Sequence, residues 1–250
     1  SEQDIDLEEV FGYLDRNALF AGQWQMRKSK DQSREEYEQQ LRDKAEPVLQ
    51  EWLQRARSEK LLTPRVAYGY FPCGRDGNAV VVFDPNDTTR ELGRFELPRQ
   101  RSGNTYCIAD FYRDLSSNGE PTDVLPMQAV TMGEKASAFA KELFQADRYS
   151  DYLYFHGLAV QMAEAMAEWV HARIRRELGF ADPDGMPLRD VLAQRYRGSR
   201  YSFGYPACPN VADSRQQLSW LGADRIGLSM DASDQLSPEQ STTALVALHS

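Results

Sequence analysis

Hydrophobic and polar positions follow two different periods along the chain, and the changes of period divide it into three stretches. Over residues 33–59 the apolar residues Tyr37, Leu41, Ala45, Val48, Leu49, Trp52, Leu53 and Ala56 recur at three- and four-residue steps, which predicts a helix. Ser33 and Glu36 have capping-box spacing at its start, and Pro64 follows its end. Pro47 lies inside the pattern and predicts a kink or a break. Upstream, Val10, Phe11, Tyr13 and Leu14 form a short apolar cluster that leads into Asp15, and Trp24 stands in a polar setting. The middle stretch is β-branched and aromatic. Segments 66–71 and 79–83, separated by the turn-forming residues 74–78, read as a hairpin. Segments 91–97, 105–111 and 127–131 are further strand candidates, and short strands without intervening helices favour an antiparallel sheet.

Helical periodicity returns at 134–146 and, most strongly, at 151–178. There Phe155, Leu158, Ala159, Met162, Met166, Trp169, Val170 and Ile174 form one stripe, and Gly179 falls where a C-terminal cap belongs. The opposite face carries Gly157, Gln161, Glu164, Glu168, His171 and Arg175 and reads as a solvated face with internal ion pairs, Glu168 with Arg175 and Glu164 with His171. Glycine in a helix interior costs about 1 kcal/mol against alanine, so Gly157 suggests close approach of another segment. Shorter helices are predicted at 188–196 and 214–221, and closing strands at 226–230 and 242–248. The expectation is a single α+β domain with helices before and after a central antiparallel sheet.

Composition then excludes several classes. The 250 residues hold 29 Lys+Arg against 38 Asp+Glu, a net charge of −9, which argues against a nucleic-acid protein. Three cysteines without a C-x-x-C pair and three scattered histidines support neither a disulfide framework nor a metal site, and a reduced, cytoplasmic setting is the simplest reading. No apolar run approaches the roughly 18 residues of a membrane span, and the opening is acidic (Glu2, Asp4, Asp6, Glu8, Glu9) rather than signal-like. Rossmann, P-loop, zincin and nucleophile-elbow motifs are all missing.

The segment 198–209 stands out. It holds Arg200, the aromatics Tyr201, Phe203 and Tyr205, two glycines and two prolines. Arg200 and Tyr205 could converge on a carboxylate, and the backbone from Tyr201 to Gly204 could read a planar polar ring. The competing reading is a tight turn whose arginine pairs with a structural acid. Glu164 and Glu168, one turn apart, could hold a cationic ligand or merely face solvent. Cys208 has no activating base in sequence, so a thiol hydrolase finds little support. Asp110 ends a strand candidate and could point into a cleft or cap a turn.

Arg200-Tyr201-Ser202-Phe203-Gly204-Tyr205 followed by Pro206-Ala207-Cys208-Pro209 closely resembles the S-adenosylmethionine motif, R-x-x-x-G-Y then P-A-C-P, of the C-terminal activation domain of cobalamin-dependent methionine synthase. The likeness extends over about residues 10–249. It includes Tyr13-Leu14-Asp15 with the stretch 17–28, Leu97-Pro98-Arg99-Gln100, Cys107-Ile108-Ala109-Asp110-Phe111, Ala129-Val130-Thr131-Met132-Gly133, and the helix segment from Met162 to His171. The resemblance implies a C-shaped α+β domain with a bent antiparallel sheet. The whole chain, 1–250, would be that domain, with a helical part at about 1–62, the sheet at about 66–131 and a helical and C-terminal part at about 134–250. It implies that S-adenosylmethionine binds here and that its methyl group reaches the cobalt of a cobalamin carried by a neighbouring domain. An electron from a flavodoxin-type donor would complete the reductive methylation of cob(II)alamin, so the chain would be part of a methyltransferase serving methionine biosynthesis. By the same resemblance Arg200 holds the ligand carboxylate with Tyr205 nearby, Asp15 meets the α-amino group, backbone groups around Ser202 and Gly204 contact the adenine, and Glu164 lies close to the ligand.

Two departures qualify this expectation. The family continues past an H-P pair, through a short spacer, to a Tyr-Tyr or Tyr-Phe pair that helps line the site, whereas this sequence stops at His249-Ser250. The Arg-Pro-x-Pro form of the motif is replaced by Tyr201 and Phe203. The alternative is an interaction domain that docks on a corrinoid protein without binding S-adenosylmethionine.

Overall fold

The computed structural model describes residues 5–248, so Glu2, Asp4 and His249 lie outside the described residues. The chain opens with helix α1 (Leu7–Phe11), capped by Asp6, whose carboxylate accepts the Glu8 N–H at 2.9 Å. Asp15 accepts the N–H of Ala18 at 3.0 Å and starts a π-helical turn, Ala18–Gln23. The predicted helix at 33–59 is present with its capping box: the Ser33 hydroxyl accepts the Glu36 N–H, and the Glu36 carboxylate accepts the Ser33 N–H. It is divided into α2 (Arg34–Gln40), a π-helical turn (Leu41–Ala45) and α3 (Glu46–Ser58). Proline lacks an N–H and its ring crowds the carbonyl four residues back. The wider turn just before Pro47 absorbs that conflict, which is the kink the sequence predicted.

A six-stranded sheet forms the centre. Its strands are β1 (Arg65–Asp76), β2 (Ala79–Asp84), β3 (Asp87–Glu96), β4 (Asp123–Thr131), β5 (Ser199–Tyr201) and β8 (Ser241–Ala247), in the order β3-β2-β1-β4-β8-β5, with every neighbouring pair antiparallel. β1 is longer than the sequence suggested, because Pro72, Cys73 and Gly74 stay in register with β4 or β2 and leave only Gly77-Asn78 to turn the hairpin.

Three expectations are corrected. Residues 105–111 do not form a strand but end in a 3-10 turn, Ile108–Phe111. Cys107, Ile108 and Ala109 are buried in succession rather than alternately, and Asp110 accepts the Cys107 N–H and two bonds from Arg99, drawing the backbone into a turn. The helix expected at 188–196 is only α6 (Leu188–Leu192). Gln194, at φ +52°, closes it in the left-handed conformation while Arg195 N–H bonds back to Asp190 C=O, a stop usually signalled by glycine. At 226–230 another 3-10 turn, Ala223–Ile226, precedes the two-residue strand β6 (Ser229–Met230), which pairs with β7 (Leu236–Ser237) apart from the main sheet.

The sheet separates two apolar cores. Val66, Val130 and Val246 face helix α5 (Tyr149–Glu177), which also packs against α3 and against α4 (Glu134–Gln145). Ala67, Phe71, Val82, Met127 and Leu245 face the other way, towards α7 (Asp213–Leu221). Buried glutamines stitch the layers. Gln128 donates to the Ala167 carbonyl on α5, and Gln217 of α7 donates to the carbonyls of Gln128 and Ala244. The face read as solvated is largely covered by the chain that returns at Asp182, Tyr196 and Arg200: Glu168, His171 and Arg175 are all buried. No helix among the described residues is long and apolar enough to cross a membrane.

The close approach inferred at Gly157 is real. A Cβ there would lie 2.8 Å from Gln23 Cβ and 3.1 Å from Trp24 Cδ1, and the Trp24 indole N–H donates to the Tyr154 carbonyl of the same helix. Alanine at an open helix position would stabilise by about 1 kcal/mol. Here overpacking should dominate, so Gly157→Ala is expected to lower the unfolding free energy by about 1 kcal/mol or more in urea titrations. A stabilised variant would refute the close-packing account.

Candidate functional site

The motif segment is fixed by one strand and a turn. β5 pairs with β8 at the sheet edge, with Arg200 opposite Val246. Gly198, at φ +90°, opens the strand where a Cβ would sit 2.6 Å from the Ala247 carbonyl oxygen. Side chains alternate along a strand, so Tyr201 and Arg200 face opposite sides. Tyr201 packs into the core under α7 and stacks on Phe111 with ring centroids 6.1 Å apart, while Arg200 projects to the α5 side. Beyond β5, Phe203 is buried against Phe95 at 5.1 Å. The turn closes with Gly204 N–H to Cys208 C=O and Cys208 N–H to Tyr205 C=O, both 2.9 Å. The Cys208 thiol donates to the Ser202 carbonyl at 2.9 Å. Burial, and then Asp213, push that thiol up to about 11, so it stays protonated and is no nucleophile at neutral pH.

This segment forms one wall of a cleft of about 880 Å³, whose other walls come from α5, the end of α6, the β6–β7 turn and the start of β8. Its charged lining is Arg200 together with Glu164, Asp234 and Glu239. Of the residues singled out in the sequence, Glu164, Arg200, Ser202 and Tyr205 line the cleft. Gly204 lies in the same turn, at φ +99°. Asp15 caps the turn that begins at Ala18 and is not in the cleft lining. Tyr205 is 67% exposed and also borders a second cavity, of about 450 Å³, with Tyr106, Phe111 and Tyr201.

Arg200 is anchored from behind. Its Nη1 donates to Glu168 Oε2 at 2.5 Å and to His171 Nδ1 at 3.1 Å, and the Tyr196 hydroxyl donates to the same Glu168 oxygen at 3.0 Å. Glu168 also lies 3.6 Å from Arg175, which is fully buried and paired through Nε with Asp182 at 2.7 Å. The Arg175 guanidinium lies 3.6 Å from the centroid of the Tyr196 ring. The expected Glu168–Arg175 pair is thus present, but Glu168 shares its charge with Arg200, and no Glu164–His171 bond is found among the described residues. Burial alone would depress the Arg200 pKa; Glu168 and Tyr196 more than offset it, and the guanidinium stays charged. Glu164 opens onto the cleft yet is densely surrounded by protein. Its pKa is raised by desolvation, with Arg200 pulling it back and Glu168 adding to the rise.

The activation-domain model of vitamin B12-dependent methionine synthase matches residues 6–250. The chain belongs to that family. The methionine synthase of Mycobacterium tuberculosis (strain ATCC 25618 / H37Rv) is 42% identical over 255 residues, covering 98% of this chain and 21% of the relative. That of Mycobacterium leprae (strain TN) is 41% identical over 257 residues, with the same coverage. The chain therefore spans about a fifth of the length of these curated relatives. A solved structure described as the MetH reactivation domain bound to AdoHcy superposes with a TM-score of 0.85 at 24% identity, covering 100% of this chain and 78% of that one, and shares its fold.

In this activation domain Arg200 does pair with a structural acid, as the competing sequence reading allowed, but that reading named neither Glu168 nor His171 and Tyr196 beside it. The signal was present: Glu168 and His171 are three apart on the polar face of the helix, and Tyr196 is four before Arg200. Gln194, Asp234 and Glu239, which complete the cleft, carry no motif.

His171 is fully buried, and desolvation, followed by the charges of Arg175 and Arg200, holds its pKa well below the ordinary 6.5. The unfolded chain binds a proton near pH 6.5 that the folded chain refuses, so this group favours folding above that pH. The contribution falls as pH drops from about 6.5 towards the folded pKa, by up to about 1.4 kcal/mol per pH unit. Urea titrations between about pH 7.5 and 5 should show this slope, and His171→Gln should flatten it. An unchanged slope would assign the effect elsewhere.

Proposed function

We propose that this domain binds S-adenosylmethionine in the acidic cleft and supports reactivation of a cobalamin carried by another domain of methionine synthase. The reading is carried by one observation: an arginine with unpartnered guanidinium nitrogens shares a cleft with three carboxylates. S-adenosylmethionine is a zwitterion with an added sulfonium, so it offers one carboxylate and two positive centres. Arg200 would take the carboxylate, while Glu164, Asp234 and Glu239 favour the ammonium and sulfonium charges. A cation arriving beside Glu164 would also return its raised pKa towards the ionised side.

The remaining contacts follow the family motif. Peptide groups around Ser202 and Gly204 would meet the adenine, in a turn held rigid by Phe203 and Cys208, and exposed Tyr205 would stand at the edge of the ligand. Asp15 lies outside the cleft lining, so the family motif alone supports its meeting the α-amino group, through carboxylate capacity beyond its bond to Ala18. With a flavodoxin-type donor supplying the electron that reduces cob(II)alamin, the bound sulfonium would give up its methyl group to cobalt and leave as S-adenosylhomocysteine. The names of the mycobacterial relatives, and the AdoHcy bound to the solved reactivation domain, support this reading.

Calorimetric titration of the chain with S-adenosylmethionine should show one site, and Arg200→Ala should weaken it by at least about 2 kcal/mol, roughly 30-fold. Unchanged affinity in the variant would remove Arg200 from the site. No binding by the wild-type chain would leave the domain as a docking module for a corrinoid protein.

A further inference from the structure

We propose that Glu168 and His171 are positioning residues that fix which edge of Arg200 meets a ligand carboxylate, an inference that rests on the binding reading above. An arginine carries two N–H groups on each terminal nitrogen and one on Nε. Both hydrogens of Nη1 are in use here, one on Glu168 Oε2 at 2.5 Å and the other on His171 Nδ1 at 3.1 Å. Among the described residues, Nε and Nη2 of Arg200 make no hydrogen bond or ion pair, and the residue lines the cleft. The end-on edge, Nη1 with Nη2, is therefore closed, and the side-on edge, Nε with Nη2, is left for two parallel bonds to a carboxylate.

The polar atoms left without partners indicate that the cluster is organised around Arg200. His171 accepts through Nδ1, so its proton is on Nε2, and that nitrogen is buried without a partner. Glu168 Oε1 and Arg175 Nη1 form an ion pair at 3.6 Å, too long for a hydrogen bond, and both are likewise buried without one. Buried polar groups are seldom left unpaired, and the price of these three secures short contacts to Arg200. A cluster serving only to neutralise Arg175 would close the Glu168–Arg175 gap, yet Glu168 places its shortest bond on the cleft residue. Arg200 needs such support because β5 is a three-residue strand at the edge of the sheet.

Two ligands that differ in the carboxylate separate positioning from general scaffolding. S-adenosylhomocysteine carries the amino-acid group, whereas 5′-methylthioadenosine keeps the adenosine thioether without it. Both are titrated into the full chain, with far-UV circular dichroism confirming that each variant is folded. His171→Leu removes one acceptor from Nη1 and should raise the Kd for S-adenosylhomocysteine about tenfold, leaving 5′-methylthioadenosine within about twofold. His171→Gln restores an acceptor and should recover most of that loss, and Glu168→Gln should act in the same selective sense. In an Arg200→Ala background His171→Leu should add nothing, because it acts through Arg200. Equal losses for both ligands, no loss for either, or a loss that persists without Arg200 would overturn the positioning role. A wild-type chain that binds neither ligand would overturn the binding reading itself and this inference with it, an outcome read before any substitution is made.

Discussion

A guanidinium buried inside a packed helix is the constraint on which the C-terminal half depends. Arg175 has no exposed surface, and an ion in that position costs several kcal/mol unless partners surround it. All its partners besides Glu168 lie downstream. The end of α5, where Phe180 N–H bonds back to the Arg175 carbonyl, turns the chain so that Asp182 returns to the guanidinium. Tyr196 then covers its face, and its hydroxyl reaches Glu168. With Asp182 and Tyr196 both held against α5, the connector between them is pinned at each end, and β5 is delivered to the free edge of β8 three residues later. This wall of the cleft is thus placed by charge satisfaction on a helix as much as by strand pairing.

The same constraint explains what could be read from sequence and what could not. The apolar stripes of α3 and α5 were legible because a helix buries one periodic face, and Gly157 was legible because glycine has little other reason to sit there. The polar stripe of α5 misled, since periodicity marks a face as polar but not whether a second layer covers it. Strand ends failed where turn-forming residues occur inside a ladder, as at Pro72 and Gly74, and helix α6 failed because Gln194 adopts the conformation usually left to glycine. Arg200 was legible through its motif. Its partners were not, because they become neighbours only when the connector folds back.

The motif segment divides into residues that hold and residues that present. Where other forms of the motif carry prolines, this chain has Tyr201 and Phe203. Proline shapes a loop by restricting φ. Here burial does that work, with Tyr201 stacked on Phe111 and Phe203 packed on Phe95. Cys208 adds a thiol bond to the Ser202 carbonyl, so its role is to close the turn. Ser202 and Tyr205 are then left facing the cleft on a backbone whose shape is set from beneath.

A cleft in which Arg200 is the one cationic group among the described residues, in an acidic chain, narrows the ligands that suit it. A simple anion drawn to Arg200 would meet Glu164, Asp234 and Glu239, and a simple cation drawn to those carboxylates would meet Arg200. Glu168 sharpens this selection, because it partly balances Arg200 and lowers its pull on anions in general while keeping it charged. On the proposed reading, what remains favourable is a molecule carrying both signs at a fixed separation, with a carboxylate to meet Arg200. The energy gained from each charge is modest across a wet cleft, so discrimination comes from meeting both conditions at once, and that in turn requires the arginine to be held still.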